Sequence, residues 1–380
     1  MAIDKITTAS ITDANITTAK LAYDAIPFRN IIINGDMSLA QRGTSVSGIT
    51  NASGDVFVND RFCWSESGSM TSTFTMSQVT DVPAGQGFAK SLKLDCTATD
   101  TPATTERIRI ETRFEGQNLQ YLKKGTANAE SWTLSFWVKS VKTGTYIVNF
   151  RDEDNTRIVS KAYTISSANT WEKKTVTGAP DTTDPFDNDN AHSLTIAWIL
   201  SAGSSLQSGS LADGWQDYAN ANYAAGQVNF ADSTSNEFYL TGVQLEAGTT
   251  ASDFEFLPYD VNLQRCHRYC LILGDAPGGA TYDYADNGVI GHYYNTTDFY
   301  PNFFFPVPMR STPGVSFSTT GSGLGDVASQ NTAKTGTSAG TNSTSSTNIN
   351  FRVSTSSANQ GSGGAFNFAA NDYVILSAEL

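Results

Sequence analysis

Short runs in which apolar and polar residues alternate recur along the chain from about residue 29 to residue 258. One run carries Trp132, Leu134, Phe136 and Val138 on a single parity, and residues 92–94, 108–110, 146–150 and 194–200 repeat the pattern. A period of two is that of a strand with one buried face. We therefore expect many half-buried antiparallel strands in this region.

Two local features modify this pattern. The parity of the apolar residues changes at Gly242 within residues 237–247, which predicts a β-bulge that redirects the strand. Residues 31–33 form an apolar run followed by Asn34-Gly35-Asp36, which predicts a short buried strand and then a turn.

The C-terminal region has a different composition. Residues 259–270 show the best helical spacing in the chain, and Pro258 marks a junction before them. Residues 318–365 are dominated by Gly, Ser, Thr and Asn, which fits either a disordered linker or long loops. Because residues 349–353 alternate inside this tract and the apolar run DYVILSAEL follows it, we favour long loops in a small β-sandwich.

The first 28 residues follow a third period. One branched apolar residue recurs at every fifth position: Ile6, Ile11, Ile16, Leu21 and Ile26. A period of five matches neither a helix nor a strand, so this arm cannot bury its apolar row as either element. We expect it to dock on another chain. An extended arm and one coil of a pentapeptide-type solenoid both stay open.

Composition supports an all-β protein and excludes some partners. Aromatic residues make up 11% and charged residues 16% of the 380 residues, and the formal net charge is −13. The acidic balance argues against nucleic acid. We expect no export signal and no membrane insertion, because no signal-like start and no apolar run of about 20 residues occurs. Four scattered cysteines are expected to be reduced, mostly buried thiols.

Five longer blocks occur in consistent order over residues 29–270: IIINGDMSLAQRGTS, VNDRFCW, RFEGQNLQYLKKGTANAESWTLSFWVKS, YLTGVQLEAG and LQRCHRYC. Together they resemble a group of bacteriophage tail-fibre and receptor-binding proteins known from phages of aquatic bacteria. The arm ITTASITDANITTAKLA is similar to repeats near the start of phage fibre proteins. WTLSFWVKS is similar to a strand of jelly-roll modules that bind carbohydrate.

The resemblance implies an external virion protein, made in the host cytoplasm, that forms a homotrimer and attaches the particle to a host-surface polysaccharide or lipopolysaccharide. Residues 1–28 would be the trimerisation and attachment arm, bound to a tail adaptor or tube protein. Residues 29–258 would be a jelly-roll body, and residues 259–380 a smaller β-sandwich that carries the receptor-binding tip. The alternatives are a polysaccharide depolymerase tailspike and a capsid or neck decoration fibre.

Two aromatic clusters are candidate glycan sites, because a sugar ring stacks on an aromatic face while polar side chains bind its hydroxyls. We favour the receptor-binding cluster His292, Tyr293, Tyr294, Asp298, Phe299 and Tyr300. The second candidate is Trp215, Tyr218 and Tyr223, for which a loop packed over the sandwich core is the simpler interpretation.

No catalytic residue, cofactor or metal ligand is predicted. Glycoside hydrolysis needs two carboxylates facing one bond, but the acidic groups at residues 152–154 and 181–189 lie in turn-like segments. A solvated loop explains residues 181–190, with an oxygen-ligand calcium site as the alternative. The segment Cys266-His267-Arg268-Tyr269-Cys270 is expected to pack structurally, because a Cys pair with a single His between them does not complete a zinc site.

Overall fold

The computed structural model describes residues 28–274, 287–318, 324–329, 332–356, 358–369 and 372–380. All five apolar residues of the pentad arm lie outside these ranges, so their docking role stays a prediction: Ile6, Ile11, Ile16, Leu21 and Ile26.

Thirteen strands of the described chain build the body. They are β1 (Ser45–Ile49), β2 (Val56–Phe57), β3 (Cys63–Ser67), β4 (Thr73–Val79), β5 (Ser91–Ala98), β6 (Arg107–Glu115), β7 (Trp132–Ser140), β8 (Gly144–Asp152), β9 (Arg157–Ile165), β10 (Glu172–Gly178), β11 (His192–Ala202), β12 (Gln216–Asp217) and β13 (Glu237–Ala247). One sheet has the order β1-β4-β5-β13-β7-β10 and the other β12-β9-β8-β11-β6-β3-β2. Every pairing in both sheets is antiparallel.

The two sheets pack their apolar faces together. Phe136 and Leu240 of the six-stranded sheet share one core with Trp64, Val148 and Trp198 of the seven-stranded sheet. The alternation seen in the sequence sets which side chains enter this core, because neighbouring strand residues face opposite sides. The prediction of an antiparallel all-β sandwich is confirmed.

The C-terminal region contains one helix and nine strands among the described residues. They are α1 (Tyr259–His267), β14 (Cys270–Gly274), β15 (Asn287–Tyr293), β16 (Asp298–Phe304), β17 (Gly314–Phe317), β18 (Gly325–Ser329), β19 (Thr332–Thr344), β20 (Asn348–Thr355), β21 (Gly363–Phe368) and β22 (Tyr373–Ser377). Strands β14, β22 and β17 form a small sheet, and β15-β16-β20-β19-β18-β21 closes into a barrel. Both share one apolar core.

This barrel corrects the expectation that the Gly/Ser/Thr tract forms long loops. Most of the tract is strand, including the 13-residue β19. The β19–β20 register shifts between Gly336 and Ser338 and again between Thr341 and Ser343. Such irregularities bend a strand, and a sheet needs bends to close. The C-terminal sheet therefore closes on itself where an open sandwich was expected.

Polar contacts join the C-terminal region to the body. The Arg268 guanidinium donates to both carboxylate oxygens of Glu115, at 2.7 and 2.5 Å, and the Tyr269 hydroxyl donates to the same carboxylate. Helix α1 packs Leu263 and Cys266 against Leu39 of the body. The predicted domain boundaries stay predictions.

Several smaller expectations can be compared with the structure. Residues 31–33 form no strand: Ile31 and Ile32 are buried, and Ile31 makes one backbone hydrogen bond to Leu245 of β13. The bulge is confirmed, since the β13–β7 register shifts between Thr241 and Gln244 and Gly242 has φ +60°. All four cysteines are free and buried.

Short 3₁₀ turns complete the described secondary structure: Asn51–Ser53, Gly116–Asn118, Gln120–Leu122, Ser204–Leu206, Asn220–Asn222 and Phe230–Asp232. Within the part of the chain that the structure describes, no helix has the length and apolar character needed to cross a membrane.

Candidate functional site

An open groove of about 640 Å³ lies on the outer surface of the barrel. We call it the barrel groove. Its lining combines exposed apolar side chains with amides and hydroxyls: Ile290, Gly291, His292, Tyr300, Asn302, Phe304, Asn342, Ser343, Asn348 and Asn350. Ile290 is 77% and Phe304 70% exposed, so two large apolar side chains face solvent at this surface.

Strand pairing brings these residues together from distant parts of the sequence. His292 of β15 pairs with Tyr300 of β16, and Phe304 of β16 pairs with Asn348 of β20. Gly291 permits the close approach of β15 and β16, because a Cβ there would lie 2.2 Å from the Tyr300 carbonyl oxygen. The groove therefore depends on the pairing of β15 with β16, β16 with β20 and β20 with β19.

Asparagine amides form the polar part of the groove. The Asn342 amide donates to Asn350 Oδ1 at 2.7 Å, and the Asn350 amide donates to the Pro301 carbonyl at 3.2 Å. Each amide carries two N–H donors and two acceptor lone pairs, so these bonds leave capacity for a ligand. Hydroxyl groups are the natural partners of such amides.

The structure divides the predicted receptor-binding cluster between two faces of the barrel wall. His292 and Tyr300 line the barrel groove, and the exposed Tyr294 packs edge-on against Tyr300 with ring centroids 5.5 Å apart. Tyr293 and Phe299 are fully buried in the barrel core. Their inclusion as binding residues was wrong, because adjacent strand residues point to opposite faces.

Asp298 is also placed differently from the prediction. Its carboxylate accepts hydrogen bonds from the Asn295 amide at 2.9 Å and the Ser354 hydroxyl at 2.8 Å. These bonds, from Asn295 first and then Ser354, lower the pKa of Asp298. Asp298 does not line the groove; it fixes the turn between β15 and β16.

The second aromatic candidate does not form one platform. Tyr223 is buried under the loop that covers part of the seven-stranded sheet, and Tyr218 packs against its ring at 6.1 Å. Trp215 packs on the main core and lies 6.5 Å from the ring of Phe186. Tyr223 as an exposed stacking residue was therefore wrong, and the packing interpretation describes it.

Sequence reasoning missed Ile290, Phe304 and four asparagines of the barrel groove. The signal available in the sequence was alternation: Tyr300, Asn302 and Phe304 share one parity, opposite to the buried Phe299. The alternation at residues 349–353 indicates a strand next to Asn348 and Asn350, but the sequence does not show that this strand pairs with β16 and β19.

Comparisons with known proteins add partial structural similarities. No protein-family model matches the chain, and no curated protein sequence matches it. The enzymatically active domain of tailspike protein 4 of bacteriophage CBA120 is 15% identical at TM-score 0.29, covering 58% of this chain and 22% of that chain.

Two further partial similarities are to structures of proteins described as carbohydrate-binding. A putative sugar-binding protein from Bacteroides thetaiotaomicron is 12% identical at TM-score 0.31, covering 57% of this chain and 99% of that one. A family 11 carbohydrate-binding module from Clostridium thermocellum, in complex with a mixed-linked tetrasaccharide, is 10% identical at TM-score 0.27 over 55% and 99%.

Proposed function

We propose that this protein binds carbohydrate through the barrel groove and catalyses no reaction. The observation that carries the proposal is the exposure of Phe304 and Ile290 within a row of asparagine amides. Exposed apolar side chains that lie together on one surface, unlike isolated ones, are typical of interaction sites. An apolar surface bordered by amides matches the chemistry of a sugar, which has an apolar ring face and hydroxyls at its edge.

The lining of the groove supports binding over hydrolysis. Among the described residues that line it, none is an aspartate or glutamate. Glycoside hydrolysis generally needs two carboxylates facing the scissile bond. The depolymerase alternative therefore has less support than a binding site at this position.

On the scale of the particle, we propose the homotrimeric tail fibre that the sequence resemblance implies. Three copies of the barrel groove would bind one polysaccharide with a higher overall affinity than a single copy, because the second and third binding events become intramolecular. Attachment would use the pentad arm and a tail adaptor protein. Analytical ultracentrifugation of the full chain and electron microscopy of particles test these two points.

The binding proposal is tested with immobilised bacterial polysaccharides and lipopolysaccharides from aquatic bacteria, using the full chain. We expect a subset to bind, and Phe304→Ala and Tyr300→Ala to weaken that binding about tenfold, since each removes apolar surface that a bound sugar would cover. Tyr121→Ala is the matched control, because Tyr121 is 60% exposed on the body, away from the groove.

Two results would overturn the proposal. One is that Phe304→Ala and Tyr300→Ala bind as tightly as Tyr121→Ala. The other is release of reducing ends from a bound polysaccharide, which would make the protein a depolymerase.

A further inference from the structure

A second cavity lies on the outer face of the seven-stranded sheet, in the body and away from the barrel groove. It has a volume of about 250 Å³, and we call it the arginine cavity. Its charged lining consists of Arg107, Arg109, Arg113, Arg151, Glu111 and Glu153. The lining thus has an excess of two positive charges in a chain whose net charge is −13. Positive charge is therefore concentrated in this cavity, although the protein as a whole is acidic.

A small residue creates the depression. Ala197 of β11 lies opposite Glu111 of β6 on one side and opposite Asn149 of β8 on the other. Its methyl group is much shorter than the side chains on the two flanking strands. The surface of the sheet is therefore recessed at Ala197, and arginine side chains border the recess.

The arginines are not equivalent. Glu111 forms ion pairs with both Arg109 and Arg113, and the Arg151 Nε lies 3.1 Å from Glu153. Arg107 forms no ion pair with any residue that the structure describes, and its Nε is buried without a hydrogen-bond partner. An arginine in this state retains its capacity to bind an anion.

Asn149 gives independent evidence for a ligand. This residue is 1% exposed, and neither its amide nitrogen nor its amide oxygen has a hydrogen-bond partner among the described residues. Leaving a buried amide unpaired costs free energy, and most buried polar groups are paired. A polar ligand in the cavity would supply the missing partners.

The surrounding groups fit a ligand that carries both a charge and hydroxyls. Burial, and then the positive charge of Arg113, lower the pKa of His192 to about 4, so this ring is neutral at pH 7. It shares a hydrogen bond of 2.8 Å with the Thr195 hydroxyl. The cavity therefore offers neutral hydrogen-bonding groups beside its arginines.

We propose that the arginine cavity binds a carboxylate-bearing sugar unit, a hexuronate, with Arg107 pairing with the carboxylate and Asn149 hydrogen-bonding a hydroxyl. The volume suits a single ring, since it lies below the range of larger ligand pockets. This site does not depend on the barrel groove. It would give the protein a preference for acidic polysaccharides.

The test is calorimetric titration of the full chain at low salt with glucuronate and galacturonate. Glucose, galactose, acetate and inorganic phosphate are the comparison ligands. We expect a uronate to bind at least about tenfold more tightly than its neutral counterpart, because hydrogen bonds to charged groups are the stronger ones. Acetate and phosphate should bind more weakly than the uronate.

Three variants address the site. Arg107→Gln and Ala197→Leu should each weaken uronate binding about tenfold or more, by removing the charge and by filling the cavity. Asn149→Ala should weaken binding and raise the midpoint of thermal unfolding, because it removes an unpaired buried amide. Lys174→Gln, on the other sheet, is the matched control for loss of one positive charge.

The proposal is overturned if uronates bind no better than neutral sugars, or if Arg107→Gln binds like Lys174→Gln. Binding of acetate or phosphate as tight as that of uronate would define a simple anion site and also contradict it. Phe304→Ala should leave uronate binding unchanged, so failure of the barrel groove proposal is recognised separately.

Discussion

The Lys124 ammonium lies 2.7 Å from Asp152 Oδ2 and 3.3 Å from Asp181 Oδ2, and all three side chains are at most 5% exposed. The carbonyl oxygens of Thr183 and Asp184 also accept hydrogen bonds from this ammonium. Four oxygen atoms thus surround one nitrogen. A calcium site was the alternative interpretation of residues 181–190. At Asp181, the Lys124 ammonium lies among the oxygen atoms where a bound cation would lie.

Replacing this cation should leave the buried Asp152 carboxylate without an ion-pair partner and Asp181 with Arg157 alone, whose Nε lies 3.5 Å from Asp181 Oδ2. We expect Lys124→Met to lower the free energy of unfolding by about 3–5 kcal/mol, the usual cost of breaking a buried ion pair. Urea denaturation measures this change. Lys174→Met is the control, because it removes a lysine whose pair with Glu172 is partly exposed.

A calcium ion should partly replace the missing charge. With Lys124→Gly, millimolar Ca²⁺ should raise the unfolding midpoint, because the oxygen atoms plus water can meet the calcium preference for six to eight oxygen ligands. The wild-type protein should show no such rise. Two results would show that the Lys124 ammonium does not hold these oxygen atoms together. One is unchanged stability of Lys124→Met, and the other is an unfolding midpoint of Lys124→Gly that does not rise with calcium.

The body could be predicted from the sequence because alternation encodes which face of a strand is buried. Leu134 and Phe136 share a parity and enter the core, and the change of parity at Gly242 identifies the bulge. The barrel could not be predicted in the same way. Its β19 consists mostly of Thr, Ser, Gly and Ala, a composition shared with linkers, and its strand identity comes from pairing with β18 and β20.

The same limit applies to the barrel groove. His292 and Tyr300 lie in one aromatic segment and could be found from it. Phe304 and Asn348 are 44 positions apart and become neighbours only through the β16–β20 register. Tyr293 differs from the prediction because it has the opposite strand parity to the exposed His292 and Tyr294, so its side chain enters the barrel core.

A buried histidine should make stability depend on pH. Burial lowers the pKa of His267 to about 4, from an unfolded value near 6.5. Between these values the unfolded chain binds the proton and the folded chain does not, so stability falls as pH decreases from 6.5 towards 4. We expect His267→Gln to remove about 2 kcal/mol of the stability loss between pH 7.5 and pH 5.

Denaturant titrations at the two pH values measure this difference. His292→Gln is the control, because His292 is exposed on the barrel surface. An equal pH dependence in the wild-type protein and His267→Gln would contradict the assignment.

The Glu115 carboxylate should stabilise the contact between the C-terminal region and the body, because its partners Arg268 and Tyr269 follow helix α1. Burial raises its pKa, but hydrogen bonds from Arg268 and Tyr269 outweigh burial and lower it overall. Its contribution is therefore present above the unfolded pKa of about 4.5 and is lost as pH falls further. We expect Glu115→Gln to cost about 3 kcal/mol at pH 7, with a smaller difference from wild type below pH 4.5.

Glu130→Gln is the control for this substitution, because the Glu130–Lys123 pair is exposed and should contribute little. Equal stability of Glu115→Gln and Glu130→Gln at pH 7 would show that the junction does not depend on the buried carboxylate.

The bulge at Gly242 should tolerate no side chain. Its φ of +60° is costly for other residues, and an added Cβ would lie 2.6 Å from Phe88 Cζ and 3.0 Å from Trp137 Cδ1. Gly85 has φ +75° with no atom within 4 Å of the same position, so Gly85→Ala separates backbone strain from the steric contact. We expect Gly242→Ala to cost about 2–4 kcal/mol and Gly85→Ala about 1 kcal/mol in chemical denaturation. Equal losses in the two variants would mean that only backbone conformation, and not the close packing of Phe88 and Trp137, requires glycine at the bulge.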